Sequence, residues 1–144
     1  MERIEDCISF LVGKAAQQVT RRARDLLAPF NVTPVQYAVL KILADGGSYS
    51  GAEIGKRLQL DSASVTGVLD RMERIRLVVR GHDPRDRRAQ RIVASREARA
   101  MMPQLDGAMD RLNAESDVAL GRDKAAFLRA VRDLASDAKW SRDV

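Results

Sequence analysis

A chain of 144 residues with 45% hydrophobic content can build one core, and at 4% aromatic residues that core must be largely aliphatic. The formal net charge is +5, the single cysteine excludes an internal disulfide, and no run of about 18 apolar residues is present to span a membrane. This balance favours a polyanionic partner and a reducing cytoplasm, and the charged start MERIEDCISF lacks a signal-peptide pattern.

Ile4, Cys7, Ile8, Leu11, Ala15, Val19 and Leu26 recur at helical spacing, which predicts an amphipathic helix over residues 4–28, ended by Pro29. Such a helix either covers its own core or pairs with a second subunit. Thr33-Pro34 is a helix start, with threonine as N-cap and proline at the first helical position. Val35, Val39, Leu40 and Leu43 point inward along this helix, and Gly46-Gly47 stops it. Ser50-Gly51-Ala52-Glu53 reads as a capping box opening a short helix to Leu58. After a tight turn, Asp61 caps a longer helix with Val65, Val68, Leu69, Met72 and Ile75 on its buried face. Helix, short helix, turn and longer helix is the helix-turn-helix order.

Leu77-Val78-Val79 and Arg91-Ile92-Val93 are short β-branched runs flanking GHDPRDRRAQ, a turn segment with Asp-Pro, so a two-stranded wing is predicted. Ser95 caps a further helix, from Arg96 to about Leu120, with Ala98, Met101, Met102, Leu105, Met109, Leu112 and Ala119 on its apolar side and a kink expected at Pro103. Gly121 breaks the chain before a last helix bearing Ala126, Phe127, Ala130, Val131 and Leu134. The fold class is therefore mainly α with a small β-wing.

Charge is concentrated. Residues 71–91 hold eight arginines against Glu73, Asp83 and Asp86, a surplus of five that equals the net charge of the whole chain. A basic patch on a helix followed by a hairpin is the footprint of a nucleic-acid binder; the alternative is a solvated charged hairpin. Catalysis has little support. His82 is the one histidine, no residues have metal-ligand spacing, and residues 51–57 have neither the spacing nor the Ser/Thr of a phosphate loop. No cofactor is implied.

Three stretches, VTPVQYAVLKIL at 32–43, LQLDSASVTGVLDRMERIRLV at 58–78 and DPRDRR at 83–88, are similar to the MarR family of bacterial transcription regulators. The helical order on either side matches as well. The resemblance implies one domain over 1–144, with a winged helix-turn-helix over about 33–95 and dimerisation helices over about 4–28 and 96–138. It also implies a homodimer on a pseudo-palindromic double-stranded operator, acting as a repressor and released by a small aromatic or phenolic effector or its conjugate. The chain departs from the family's pattern at Gly67, where many members carry arginine, and at Arg76, where glycine is usual and a left-handed backbone is commonly needed. Ala98 replaces a frequent glycine, a harmless exchange.

On that resemblance the helix beginning at Ser62 enters the major groove by its first turn, with Ser62, Ala63, Ser64 and Thr66 toward base edges. Capping is the competing role for these hydroxyls. Arg71 and Arg74 reach phosphate or a base edge. In the wing, Asp86 is expected to orient Arg88 into the minor groove, with Arg85 and Arg87 on phosphate. Gln36 and Ser50, at helix N-termini, are further phosphate candidates. The effector pocket of relatives maps to Gly13, Lys14, Ala16, Gln17, Gln36 and Tyr37. Two other classes remain. One is a cysteine-based redox sensor, although Ser9 rather than Cys7 occupies the position of the sensing cysteine in such relatives, and Cys7 reads as an apolar interface residue. The other is a winged helix that binds protein.

Overall fold

The computed structural model describes residues 3–86, 88–136 and 140. It forms two compact units, residues 1–108 and 109–144. The first holds α1 (Ile8–Leu27), α2 (Pro34–Leu43), α3 (Gly51–Leu58), α4 (Ser62–Arg74), β1 (Val78–His82), β2 (Gln90–Ala94) and the start of α5 (Arg96–Leu120). The second holds the rest of α5 and α6 (Lys124–Leu134).

The starts of α2, α3, α4 and α5 are each made by the side chain the sequence put there, whereas Cys7 makes no side-chain cap on α1. Thr33 Oγ1 accepts from the Gln36 N–H (3.3 Å) and Gln36 Oε1 from the Thr33 N–H (2.9 Å), closing a capping box on α2. Ser50 and Glu53 make the same reciprocal pair on α3, at 3.1 and 2.6 Å. Asp61 accepts from the Ser64 N–H at 2.8 Å, and Ser95 Oγ from the Ala98 N–H at 3.0 Å. Such caps each contribute about 1 kcal/mol by satisfying donors that the first turn leaves open.

Two helix ends turn on non-glycine residues. After α3, Gln59 is left-handed (φ 53°), with the Leu60 N–H bonding Gly55 O at 2.9 Å. Gly55 lies under that turn, where a Cβ would stand 3.2 Å from Leu60 O. After α4, Arg76 takes φ 62° as the sequence departure predicts, with the Leu77 N–H bonding Met72 O at 2.8 Å and its own N–H bonding Glu73 O at 3.0 Å. This is a Schellman closure, and the buried Leu77 and Met72 supply its apolar contact.

The closure accounts for two departures from the periodicity reading. Ile75 leaves the helical face and is 46% exposed rather than buried. Leu77 serves the helix end, so β1 starts at Val78 and the wing runs longer than predicted, pairing Val78 with Ala94 through to His82 with Gln90. Tyr49 adds an isolated antiparallel bridge to Ile92 that periodicity did not reveal.

The core of the first unit is aliphatic, as the composition requires. Leu27, Val39, Leu40, Leu43, Ile54, Leu69, Met72, Val78 and Leu105 are its largest fully buried side chains. α1 starts later than predicted, because residues 4–6 form a separate 3-10 turn and Cys7 stands extended before the helix. It buries just Ala23 and Leu27, leaving Ile8, Leu11 and Val19 exposed. α5 runs continuously through Pro103.

In the second unit, Gly121 at φ 53° breaks the chain as expected and a 3-10 turn leads into α6. Lys124 pairs with Asp117, and Trp140 Nε1 donates to Leu134 O at 2.8 Å. α6 has no buried residue, and Phe127, Val131 and Leu134 are exposed. Among the described residues, no single helix is long and apolar enough to cross a membrane.

Candidate nucleic-acid interface

α4 is held from below and open above. Val65, Val68, Leu69 and Met72 are buried, so helical geometry leaves Ser62, Ala63, Ser64 and Thr66 exposed on the first turn. The Ser64 hydroxyl donates to Asp61 Oδ2 at 2.8 Å, so its capping role is realised. Ser62, Ala63 and Thr66 remain as the small exposed groups of the helix tip. Arg71 and Arg74 are exposed further along.

The wing tip is built from two aspartates that each accept a main-chain N–H two residues on. Asp83 Oδ1 takes Arg85 N–H at 2.8 Å, and Asp86 Oδ1 takes Arg88 N–H at 2.9 Å. Bonds from the Asp83 N–H to Ala89 O and from the Ala89 N–H to Asp86 O, at 2.9 and 3.0 Å, close the turn. Asp86 thus meets Arg88 through its backbone, fixing where the residue starts. Arg85 and Arg88 are exposed; Arg87 lies outside the described residues.

Two of the eight arginines in this stretch do structural work instead. Arg80, with a side chain 20% exposed, joins β1 to α4 through Asp70 and Glu73, both at 2.7 Å. Arg91 joins β2 to α3 through Glu53 at 2.9 Å and also approaches Asp83 at 3.6 Å. Partial burial lets such pairs hold better than exposed ones, which contribute about 0–1 kcal/mol. Their partners lie up to 38 residues away, so counting charge along the chain gives no sign of them.

Gln36 and Ser50 are both capping residues. Gln36 is 7% exposed with its Oε1 engaged at Thr33, which turns it away from the outer surface; Ser50 is half-buried.

Glu53 and Asp61 sit below the ordinary carboxylate range. For Glu53 the main cause is the Ser50 backbone N–H, followed by the Ser50 side chain, with Arg91 adding to it. For Asp61 it is the Ser64 N–H, followed by the Ser64 hydroxyl.

The region expected to hold an effector is differently arranged. A cavity of about 290 Å³ is lined by Thr20, Arg24, Thr33, Pro34, Val35, Gln36, Val68 and Arg71. A neighbouring groove of about 370 Å³ takes in Ala16, Gln17, Thr20, Arg21 and Arg24. Of the predicted residues, Gln36 borders the first, and Ala16 and Gln17 the second. Gly13, Lys14 and Tyr37 border neither. Tyr37 instead donates its hydroxyl to Asp106 at 2.9 Å, beside the Lys41–Asp106 pair at 2.8 Å. Lys41, with help from Tyr37, lowers the Asp106 pKa. Thr20 and Arg24 were not assigned to the effector region from the sequence, because periodicity does not say which turn of α1 faces α2.

A helix-turn-helix followed by a β-hairpin, with an exposed helix tip and arginines at the hairpin turn, defines a winged-helix protein. Residues 32–89 match the MarR family model, so this winged helix-turn-helix is of the MarR family. It is 34% identical over 105 residues to the HTH-type transcriptional regulator TtmR of Methylorubrum extorquens, covering 73% of this chain and 54% of that protein. It is 30% identical over 87 residues to the organic hydroperoxide resistance transcriptional regulator of Bacillus subtilis, covering 60% of this chain and 59% of that one. The matches thus span little more than half the length of these curated relatives. Among solved structures, the transcriptional repressor CouR bound to a 23-mer DNA duplex superposes with a TM-score of 0.86 at 25% identity, over 94% of this chain and 97% of CouR. These relatives are described as regulators of transcription, and the family is not one of enzymes.

Proposed function

We propose that this protein is a transcription regulator that binds double-stranded DNA as a homodimer, most simply as a repressor on a pseudo-palindromic operator. The observation that carries the reading is the pairing, within one unit, of an exposed small-residue helix tip with a wing turn presenting Arg85 and Arg88. Ser62, Ala63 and Thr66 face base edges in the major groove, where hydroxyls and methyls give modest readout. Arg88 enters the minor groove, and Arg71, Arg74, Arg85 and Arg87 serve phosphate. CouR, solved on DNA, supports the mode of binding.

The dimer reading rests on exposed apolar residues. Ile8, Leu11 and Val19 on α1, and Phe127, Val131 and Leu134 on α6, stand open to solvent on faces with helical periodicity. Sedimentation at micromolar concentration is expected to give a dimer, and Val131→Glu a monomer. A wild-type monomer overturns this part. A role on genomic DNA would go with a cytoplasmic protein. A small-molecule effector is part of the same proposal, since CouR is also solved with p-coumaroyl-CoA. The redox reading gains nothing beyond Cys7, a half-buried free thiol.

The deciding experiment is to capture and sequence the genomic fragments the purified protein binds. Enrichment of a few sites sharing an inverted repeat is expected. Failure to retain any fragment at low salt sinks the DNA reading and leaves a protein-binding winged helix.

A further inference from the structure

Asp45, Gly47, Tyr49 and Arg57 make a closed set of contacts between the end of α2 and α3 that neither the helix tip nor the wing turn uses. Asp45 Oδ1 accepts the Gly47 N–H at 2.8 Å, and its Oδ2 accepts the Tyr49 hydroxyl. The Arg57 guanidinium lies over the Tyr49 ring, 5.9 Å from its centre. The Asp45 carboxyl is held below its ordinary range, by the Tyr49 hydroxyl first and the Gly47 N–H second, and Asp45 in turn pushes the Tyr49 phenol up. At Gly47 a Cβ would stand 2.9 Å from both Asp45 Oδ1 and Tyr49 Cε2. Any larger residue there would push apart the two groups that hook together.

The main chain of the same tyrosine holds the wing. The Ile92 N–H donates to Tyr49 O at 2.7 Å, and the Tyr49 N–H donates to Ile92 O at 3.1 Å. Both main-chain polar groups of Ile92, the middle residue of β2, are thus engaged by Tyr49. Fixing a loop residue in extended form costs backbone entropy, and one isolated bridge offsets little of it. The hooked and covered side chain supplies the rest. From Ile92 the strand runs two residues to Gln90, where the turn bearing Arg85 and Arg88 is joined, so a tilt at Ile92 is carried to the wing tip. The helix tip is fixed separately, by the Asp61 cap.

We infer that Tyr49 is a positioning residue for DNA binding: its side chain, hooked by Asp45 and covered by Arg57, holds the strand pairing that sets where the wing tip meets the duplex. The inference rests on the DNA-binding reading above and adds a residue that acts on the wing without touching DNA itself.

The test uses Tyr49→Phe, which keeps the ring beneath Arg57 and removes the hydroxyl, and Asp45→Ala as the reciprocal change. Hydrogen exchange on the free protein, followed by NMR, reads the hook. The Ile92 amide is expected to exchange about tenfold faster in both variants, with the urea midpoint unchanged. Affinity is then measured on a captured DNA fragment, where Tyr49→Phe is expected to lose about two- to tenfold. Added to Arg85→Ala/Arg88→Ala, the same change is expected to cost about twofold or less; added to Ser62→Ala, it is expected to cost its full amount. An Ile92 exchange rate equal to wild type overturns the hook. Wild-type affinity in Tyr49→Phe, equal losses in the wing and helix-tip backgrounds, or a urea midpoint that falls in step with affinity overturns positioning. A wild-type protein that retains no fragment sinks the regulator reading and with it the role on DNA, while the exchange rates still decide the hook.

Discussion

Asp86 separates two accounts of the wing. Its carboxylate accepts the Arg88 main-chain N–H at 2.9 Å on an exposed turn, so Asp86→Ala removes one hydrogen bond and one negative charge. The bond is worth about 0.5–1.5 kcal/mol in keeping the turn ordered. The charge acts the other way. A phosphate about 8 Å away is repelled by roughly 0.5 kcal/mol in water, and screening at about 0.1 M salt cuts this to roughly 0.2. Positioning therefore wins, and Asp86→Ala is expected to weaken DNA binding by about two- to tenfold despite making the protein more positive. Asp86→Asn keeps an acceptor at the same place and loses only the charge, so it is expected to bind as wild type or slightly tighter. The assay is fluorescence anisotropy on a captured fragment at fixed salt, for both variants, Arg88→Ala and the Asp86→Ala/Arg88→Ala double. Arg88→Ala is expected to lose about 1–3 kcal/mol, with the double variant no worse than Arg88→Ala. Tighter binding by Asp86→Ala, or equal loss in Asp86→Ala and Asp86→Asn, refutes positioning through the main chain.

Arg76→Gly relieves a left-handed non-glycine residue at φ 62° and is expected to raise stability by about 1 kcal/mol in urea unfolding. A clear loss would mean that the Schellman closure is not what holds this turn. Gly55→Ala places a methyl 3.2 Å from Leu60 O and is expected to destabilise by about 1–3 kcal/mol, with DNA binding lost in step. An unchanged urea midpoint shows that the turn gives way freely. Glu53 and Asp61 are held below their ordinary range by helix-start N–H groups, so the unfolded chain takes up protons first as pH falls. The stability these caps provide is complete above the unfolded value of about 4 and disappears as pH falls through the lower folded values. Asp61→Asn, a cap that does not titrate, is expected to flatten part of the acid loss; an identical acid profile removes Asp61 from that role.

What the sequence disclosed was local. Thr33, Ser50, Asp61 and Ser95 cap helices within three residues of themselves, and all four make the predicted bonds. Arg76 was legible because an unusual residue stood where the backbone needs positive φ. Ile75 was misplaced because periodicity continues through a helix end that bonding stops at Arg74. Arg80 and Arg91 counted as DNA-facing charge because the acids that engage them come from other elements. Arg24 borders both cavities and Lys14 neither, a difference that the mixture of charged and small residues along α1 does not reveal. Tyr49 pairs with Ile92 through backbone alone, which leaves no mark in residue type.

Arg80 fastens β1 to α4, Arg91 fastens β2 to α3, and the Tyr49–Ile92 bridge ties the hairpin again at its centre. Helix tip and wing tip then form a gauge of fixed span, and on the proposed reading the duplex must fit that gauge. Bending a site of 20–30 base pairs costs of order 1–6 kcal/mol, depending on how readily its steps deform. Operators that share every contacted base will therefore rank by the pliability of the base pairs between the two contacts. Flexible TA or CA steps there will outbind stiff A-tracts at positions no side chain touches.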